Sequence, residues 1–281
     1  MDSPEPVETG EALEEKRILD DDGHLLKHFF LLNEQIHGRC MQYYPQGNLE
    51  LESNFEQGKL HGEMRQYSPE NKLVLVAHYI QGVLEGEMIV YGENGKFSQK
   101  SQFTQGKLNG ETMMYNLDGQ MIQRIFYVDG NVEGRMKSYK NNQLQLEIDY
   151  VKNVQDGEML SYSDNGNLSA RYLYRKGKMN GPASLYDSEE RLVREMNYVN
   201  NNLEGDVRDY YENGELRQLS FYRENLLEGE MLLYDEEGYL RKRIYYKKGK
   251  QQGEPIEYDQ EGNALNQPED TPKRKKWLGI F

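Results

Sequence analysis

Apolar and polar residues alternate along this chain in short stretches, and the stretches return on a fixed beat. Ten glycines share one phase: Gly38, Gly62, Gly86, Gly110, Gly134, Gly157, Gly181, Gly205, Gly229 and Gly253. Eight of the nine gaps between them are equal in length, and the ninth, Gly134 to Gly157, is shorter by one. With that glycine as position 1, position 6 is tyrosine in every unit: Tyr43, Tyr67, Tyr91, Tyr115, Tyr139, Tyr162, Tyr186, Tyr210, Tyr234 and Tyr258. Position 18 is aromatic wherever a unit reaches it: Phe55, Tyr79, Phe103, Tyr127, Tyr150, Tyr174, Tyr198, Tyr222 and Tyr246. Position 12 is mostly apolar, as in Leu49, Phe97, Met121 and Leu216. The one-residue deletion falls near Asn141–Gln143, after which Leu144 and Tyr150 resume the phase. A sustained period of roughly 24 residues marks a repeat architecture.

Two kinds of turn punctuate the unit. Positions 7 to 10 read Ser163-Asp164-Asn165-Gly166 or Tyr211-Glu212-Asn213-Gly214, and residues of this kind supply the positive φ that tight turns need. A second turn runs from position 19 to the next glycine, as in Gln105-Gly106-Lys107-Leu108-Asn109-Gly110. The roughly five to seven residues between turns suit strands and are too short for ordinary helices. Each unit is therefore predicted to be a hairpin, with positions 12 and 18, an even number apart, on one side. A lone hairpin is marginal in water, whereas stacked hairpins cover one another. The expected fold class is all-β, an elongated tandem β-hairpin repeat: a twisted meander of about twenty strands, on the order of 100 Å long at roughly 4.8 Å per strand. Gly23, Leu25 and Leu31 fit positions 10, 12 and 18 of a degenerate first unit, and the last unit stops after Leu265. The expected organisation is an acidic disordered head over 1–18, repeats over 19–265, and a linker with a basic-aromatic tail over 266–281.

The run Gly229-Glu230-Met231-Leu232-Leu233-Tyr234, continuing to Gly249-Lys250, and the stretch from Gly110 to Gly134 resemble the MORN-repeat variant. Across roughly residues 20 to 265 the chain is also similar to the YwqK-type antitoxin family. The resemblance implies a stack of hairpins with no catalytic apparatus, used in related proteins as an adaptor or membrane-associated scaffold. It says nothing of the head or the tail, which lie outside the repeat pattern.

Charge narrows the partner class. The net charge is −14, and the stretch from Met1 to Asp22 alone holds nine acidic and two basic side chains. Such a surface repels phosphate backbones, and tyrosines without interleaved Lys and Arg do not collect single strands, so nucleic acid is not an expected partner. The single cysteine, Cys40, allows no intramolecular disulfide. It stands at position 3, where other units carry Met64, Met88 or Met231, and so reads as an apolar filler. No basic-then-apolar leader opens the chain and no stretch approaches 18 apolar residues, which makes the cytoplasm the default compartment. Secretion by a signal-independent route stays open.

Candidate chemistry is sparse. The five histidines, His24, His28, His37, His61 and His78, have no accompanying ligand cluster at zinc spacing. His37 and His61 precede phased glycines, where other units carry Glu85, Asn109 or Glu204, which marks them as turn residues. Position 2 is a row of acids, among them Glu63, Glu87, Glu111, Glu158, Asp206, Glu230 and Glu254. It reads as a solvated face that discourages edge pairing, or else as a docking strip for a basic partner. Phosphate-loop glycines and a nucleophile elbow are both absent from the sequence. No catalytic residue, metal, cofactor or small-molecule substrate is expected, and the chain is not expected to be an enzyme.

The C-terminus breaks the repetition. Lys273, Arg274, Lys275, Lys276, Trp277, Leu278, Ile280 and Phe281 join a cationic run to the only tryptophan and an apolar end. They form a candidate partner-binding motif, with aromatic anchors of the kind that dominate interfaces. The resulting expectation is a non-catalytic scaffold that binds a protein through a Tyr-rich acidic sheet and this tail. Two alternatives remain. One is an antitoxin-like protein that neutralises a partner toxin. The other is a peripheral organiser held weakly on anionic lipid by the tail.

Overall fold

The computed structural model describes residues 12–266, and within them there are 26 strands and no helix. They form two compact units. The first runs through the described residues to Leu144 and includes Tyr150–Asn153; the second comprises Gln145–Asp149 and the described residues from Val154. Each is an antiparallel meander of hairpins, the all-β repeat fold expected.

The pairing inside a repeat is the same in the four repeats from Gly38 to Tyr127 and the four from Gly157 to Tyr246. Position 1 lies opposite position 18, 3 opposite 16, and 5 opposite 14, as in Gly38↔Phe55, Cys40↔Ser53 and Gln42↔Leu51. The ladder then slips, so that position 6 faces position 12: Tyr43↔Leu49, Tyr67↔Leu73, Tyr210↔Leu216, Tyr234↔Leu240. A bulge of this kind adds one residue to one strand. It also corrects the parity expectation. Paired residues share a face, and positions 5 and 6 are neighbours, so the position-12 row lies on the opposite face from the position-18 aromatics.

The turns also differ from a simple reading. Between positions 19 and 22 the chain makes a two-residue turn with both φ positive, as at Gln57 (48°) and Gly58 (76°) or Asn200 (50°) and Asn201 (71°). Strand pairing resumes at once, Phe55 with Leu60 and Tyr174 with Met179. The phased glycine therefore sits inside a second bulge, two residues beyond the last paired residue, with φ from 69° at Gly253 to 128° at Gly181. The deletion near Asn141–Gln143 shortens the other turn to Asn141 and Asn142, both at positive φ. A half-buried acid before the glycine secures the following turn: Glu204 Oε2 accepts the Glu224 amide at 2.9 Å, and Glu228 Oε2 accepts that of Lys248 at 2.7 Å.

Burial concentrates on the face of positions 3 and 16. In the first unit Cys40, Ser53, Ala77, Ser101 and Thr112 are buried there; in the second, Ala183, Met196, Val207 and Ser220. Tyr172, Tyr198, Leu203 and Tyr222 wall the second of these clusters. The side chains are small because two strands bring them directly across from one another, while the larger rings at position 18 close over them.

The ends depart from the expected boundaries. Glu14–Leu19 is a strand paired with Leu25–Leu32, so the sheet begins inside the stretch expected as head. Its charges are satisfied locally: Arg17 pairs with Glu15 at 2.6 Å, and His28 of the neighbouring strand reaches the same carboxylate at 2.9 Å. At the other end Asn266, expected in the linker, accepts the Glu257 amide at 2.8 Å and donates to Pro255 O at 2.9 Å. It belongs to the last repeat.

Two outcomes follow from this framework. At Gly157 (φ 127°) a Cβ would stand 2.6 Å from Asp149 Cβ, whereas at Gly38 (φ 77°) nothing lies within 4 Å. Gly157→Ala is expected to cost about 2–4 kcal/mol and Gly38→Ala about 1–2 kcal/mol, read as the difference in thermal melting between the two variants. The second concerns Tyr210, which donates to Glu195 Oε2 at 2.6 Å. Burial, and then this hydrogen bond, push its phenol from 10.0 up to about 12. A raised folded pKa gives stability that is complete below the unfolded value and fades as pH rises through the folded one. Tyr210→Phe should therefore be less stable than wild type by about 1 kcal/mol near neutrality. Urea midpoints should show that gap closing between pH 10.0 and about 12.

Candidate interaction surfaces

The face of positions 2, 4, 6, 12, 15 and 17 carries the position-6 tyrosines, and all ten of these rings are half-buried. In the first unit they interleave with position 12: Tyr91 and Phe97 have ring centroids 5.4 Å apart, and Phe97 and Tyr115 6.4 Å. The Lys100 ammonium lies 4.1 Å from the Phe97 centroid. Phe97 and Phe126, at positions 12 and 17, remain 41% and 43% exposed. The hydroxyls are engaged as well. Tyr43 and Tyr115 donate to the sulfurs of Met41 and Met113, and Tyr162 donates to Glu147 Oε2 at 2.8 Å.

The acidic row on the same face is largely neutralised within the sheet. Arginines at position 15 or 4 reach the position-2 acids: Arg65 with Glu63 at 2.6 Å, Arg208 with Asp206 at 2.8 Å, and Arg243 with Glu230 at 3.9 Å. Arg124 pairs with Glu111 and Arg171 with Glu158 in the same manner. These pairs are partly exposed and contribute little stability individually, but they leave few free charges among the rings.

Two depressions interrupt the units. In the second unit an open groove of about 660 Å³ is lined by Leu185, Asp187, Arg194, Asp209, Tyr211 and Glu212, among others. Asp209, 2% exposed, receives Arg194 through Nε at 2.5 Å and Nη2 at 3.1 Å. Both carboxylate oxygens are therefore occupied, which suits recognition or rigidity better than proton abstraction. In the first unit a hollow of about 330 Å³ is lined by Glu87, Lys100, Gln102, Glu111, Met113 and Phe126.

The residues singled out for possible chemistry do not converge. Cys40 is buried in the core beside Ser53, and burial holds its thiol above its ordinary range. His24, His28 and His61 each face a different carboxylate, Asp20, Glu15 and Glu56. Among the described residues, no three of His, Cys, Asp and Glu are grouped as a metal site. The tail candidates Lys273, Arg274, Lys275, Lys276, Trp277, Leu278, Ile280 and Phe281 lie outside the described residues.

The Arg194–Asp209 pair had a signal in the sequence that periodicity alone passes over. Position 14 pairs with position 5 of the next unit, as Arg194 does with Asp209, and Lys242 and Glu257 repeat the arrangement at 3.2 Å. Opposite charges arriving together at those two positions mark the contact.

Comparison with known proteins places the repeat. The family model described as MORN repeat variant matches residues 36–57, 60–81, 155–176 and 203–224. No curated protein matches. Among solved structures, the chain is similar to a chain in the crystal structure of TcdB2-TccC3, with 12% identity over 89% of this chain and 17% of that one, at a TM-score of 0.21. It is also similar to a chain in the Photorhabdus luminescens Tc holotoxin pore, at 12% identity, 92% and 15% coverage and a TM-score of 0.15. It spans less than a fifth of the length of either. The four matched copies fall in both compact units, with the same glycine and tyrosine phase between them, so both units carry MORN-variant repeats.

Proposed function

We propose that this chain is a non-catalytic repeat scaffold that binds a protein partner through its tyrosine face. The observation that carries this reading is the ladder Tyr91–Phe97–Tyr115, with the exposed ring of Phe126 on the same face. Large, stiff rings with polar tips give much contact area at small entropic cost, which is why they act as anchors at interfaces. The carboxylates among them are mostly paired already, so covering the face strands few charges. That shifts the expectation away from an acidic strip that steers a basic partner and toward aromatic contact, repeated along the sheet. The MORN-variant repeat supports the same class, since its units supply surface instead of one chemically special place.

The tail is a second attachment in this reading, and the scaffold is taken to be cytoplasmic. The experiment is affinity capture from the source cell with three baits: the intact chain, a chain ending at Asn266, and Phe97→Ser with Phe126→Ser. A partner retained by the first two and weakened by about 10- to 100-fold in the third supports the tyrosine face. A partner lost with the tail alone gives specificity to the motif ending in Phe281 and reduces the repeats to a platform. Capture of a toxin whose activity the intact chain suppresses would replace the scaffold by the antitoxin reading. Salt-sensitive binding to anionic vesicles that vanishes with the tail would replace it by the membrane reading.

A further inference from the structure

The second unit separates its charges onto its two rows of turns. At one edge lie the turns of positions 7 to 11, which hold one another through Asn165 Nδ2 to Ser188 O at 2.9 Å and Asn213 Nδ2 to Glu236 O at 2.9 Å. This edge carries Asp187, Glu189, Glu190, then Glu212 and Glu215, then Asp235, Glu236 and Glu237, then Asp259 and Glu261. Arg191 and Arg241 neutralise part of the row, pairing with Asp187 and Asp235. Glu190, Glu215, Glu236, Glu237 and Glu261 are exposed and make no ion pair among the described residues.

The opposite edge is built from the turns of positions 19 to 22, linked by the Met179 amide to Asn201 Oδ1 and the Leu203 amide to Asn225 Oδ1, each at 2.7 Å. It carries Arg175, Lys176 and Lys178, then Arg223, then Lys247, Lys248 and Lys250. All seven are exposed, and none makes an ion pair among the described residues. The exposed Glu224 is the one acid within positions 19 to 22 of these turns, and the half-buried carboxylates of Asp156, Glu204 and Glu228 sit against them on the backbone amides of Lys176, Glu224 and Lys248.

The two rows match in pitch because one repeat generates both. The outer basic clusters begin at Arg175 and Lys247, and the outer acidic clusters begin at Asp187 and Asp259, so each pair is separated by the same three repeats. At two strands per repeat each span is roughly 29 Å. We propose that these edges bind each other between molecules, the basic edge of one copy docking on the acidic edge of a second copy. Charges of one sign facing the other at equal spacing attract at short range, although the whole chain is acidic. The contact joins unlike surfaces, so each copy keeps one unused edge and association continues side by side instead of closing as a dimer. The tyrosine face takes no part, so the proposal stands or falls apart from the scaffold reading.

Sedimentation velocity of the full chain tests it, at about 50 mM and about 0.5 M salt, between which the screening length falls from roughly 14 to roughly 4 Å. Wild type is expected to form dimers and larger species at the lower salt and to run as a monomer at the higher. Two charge-reversed variants complete the test. The first is Lys178→Glu, Lys247→Glu and Lys250→Glu; the second is Glu212→Lys, Glu236→Lys and Glu237→Lys. Each should be monomeric alone, with an unchanged circular dichroism spectrum, and an equimolar mixture of the two should associate again. A monomeric wild type at both salts, continued association of either variant alone, or a mixture that stays monomeric overturns the proposal. Capture of a monomeric wild type by phosphatidylserine vesicles, lost in the first variant, also overturns it and gives the basic edge to an anionic membrane.

Discussion

Position 3 of a repeat lies directly across from position 16 in the eight repeats that begin at Gly38, Gly62, Gly86, Gly110, Gly157, Gly181, Gly205 and Gly229, and several side chains at these two positions are nearly closed to water: Cys40 and Ser53, Thr112 and Ile125, Val207 and Ser220. A meander of hairpins has no second layer to lean on, so its core must come from side chains that neighbouring strands and overhanging rings can cover. Small residues meet at the centre and the position-18 aromatics close the sides. The phased glycine makes this possible. At positive φ it lets the strand take up extra residues after the turn and return to pairing in time for position 3 to meet position 16. Because a side chain is strained there, the glycine phase is the clearest mark the fold leaves on the sequence.

The sequence reveals the period, the strand class and the turns, since each is a local property of residue type. The two faces are less legible. Counting positions 12 and 18 as an even spacing assumes a regular pleat, and one extra residue at position 13 inverts the result. The signal is present all the same: tyrosine at position 6 and an apolar residue at 12 recur together because they face each other. The head boundary failed for a related reason. Glu14-Glu15-Lys16-Arg17 reads as solvated by composition, yet it forms a strand whose charges pair along the edge and with His28. At the far end a single side chain, Asn266, holds the last strand's outer backbone, a contact no periodicity announces.

Charge behaves differently on the face and at the edges, and geometry accounts for it. On the face, position 2 stands within reach of positions 4 and 15, so a carboxylate there finds a guanidinium from its own or the neighbouring strand, as Glu63 finds Arg65 and Glu230 finds Arg243. At the turns no strand lies alongside. A side chain such as Lys178 or Glu236 extends from the end of a hairpin, and an ion pair between neighbouring turns, as Arg191 makes with Glu212 at 3.6 Å, is the exception among the described residues. Intramolecular neutralisation is therefore easy on the face and difficult at the edges.

This difference separates the two surfaces by the force they use. The tyrosine face, with its ions paired, gains mainly from removing rings from water, and salt changes that gain little. The edges of the second unit gain from unlike charges brought close, and salt weakens that within one Debye length. A repeat imposes a common pitch on both, so the same unit can vary its turn residues to change the edges without disturbing the pairing of positions 3 and 16. Turn residues carry few packing constraints beyond φ, whereas the core positions carry many. Charge segregation can therefore arise in one unit of the chain while the first unit, with the same backbone pattern, keeps turns such as Ile80-Gln81-Gly82-Val83 that hold no charge at all.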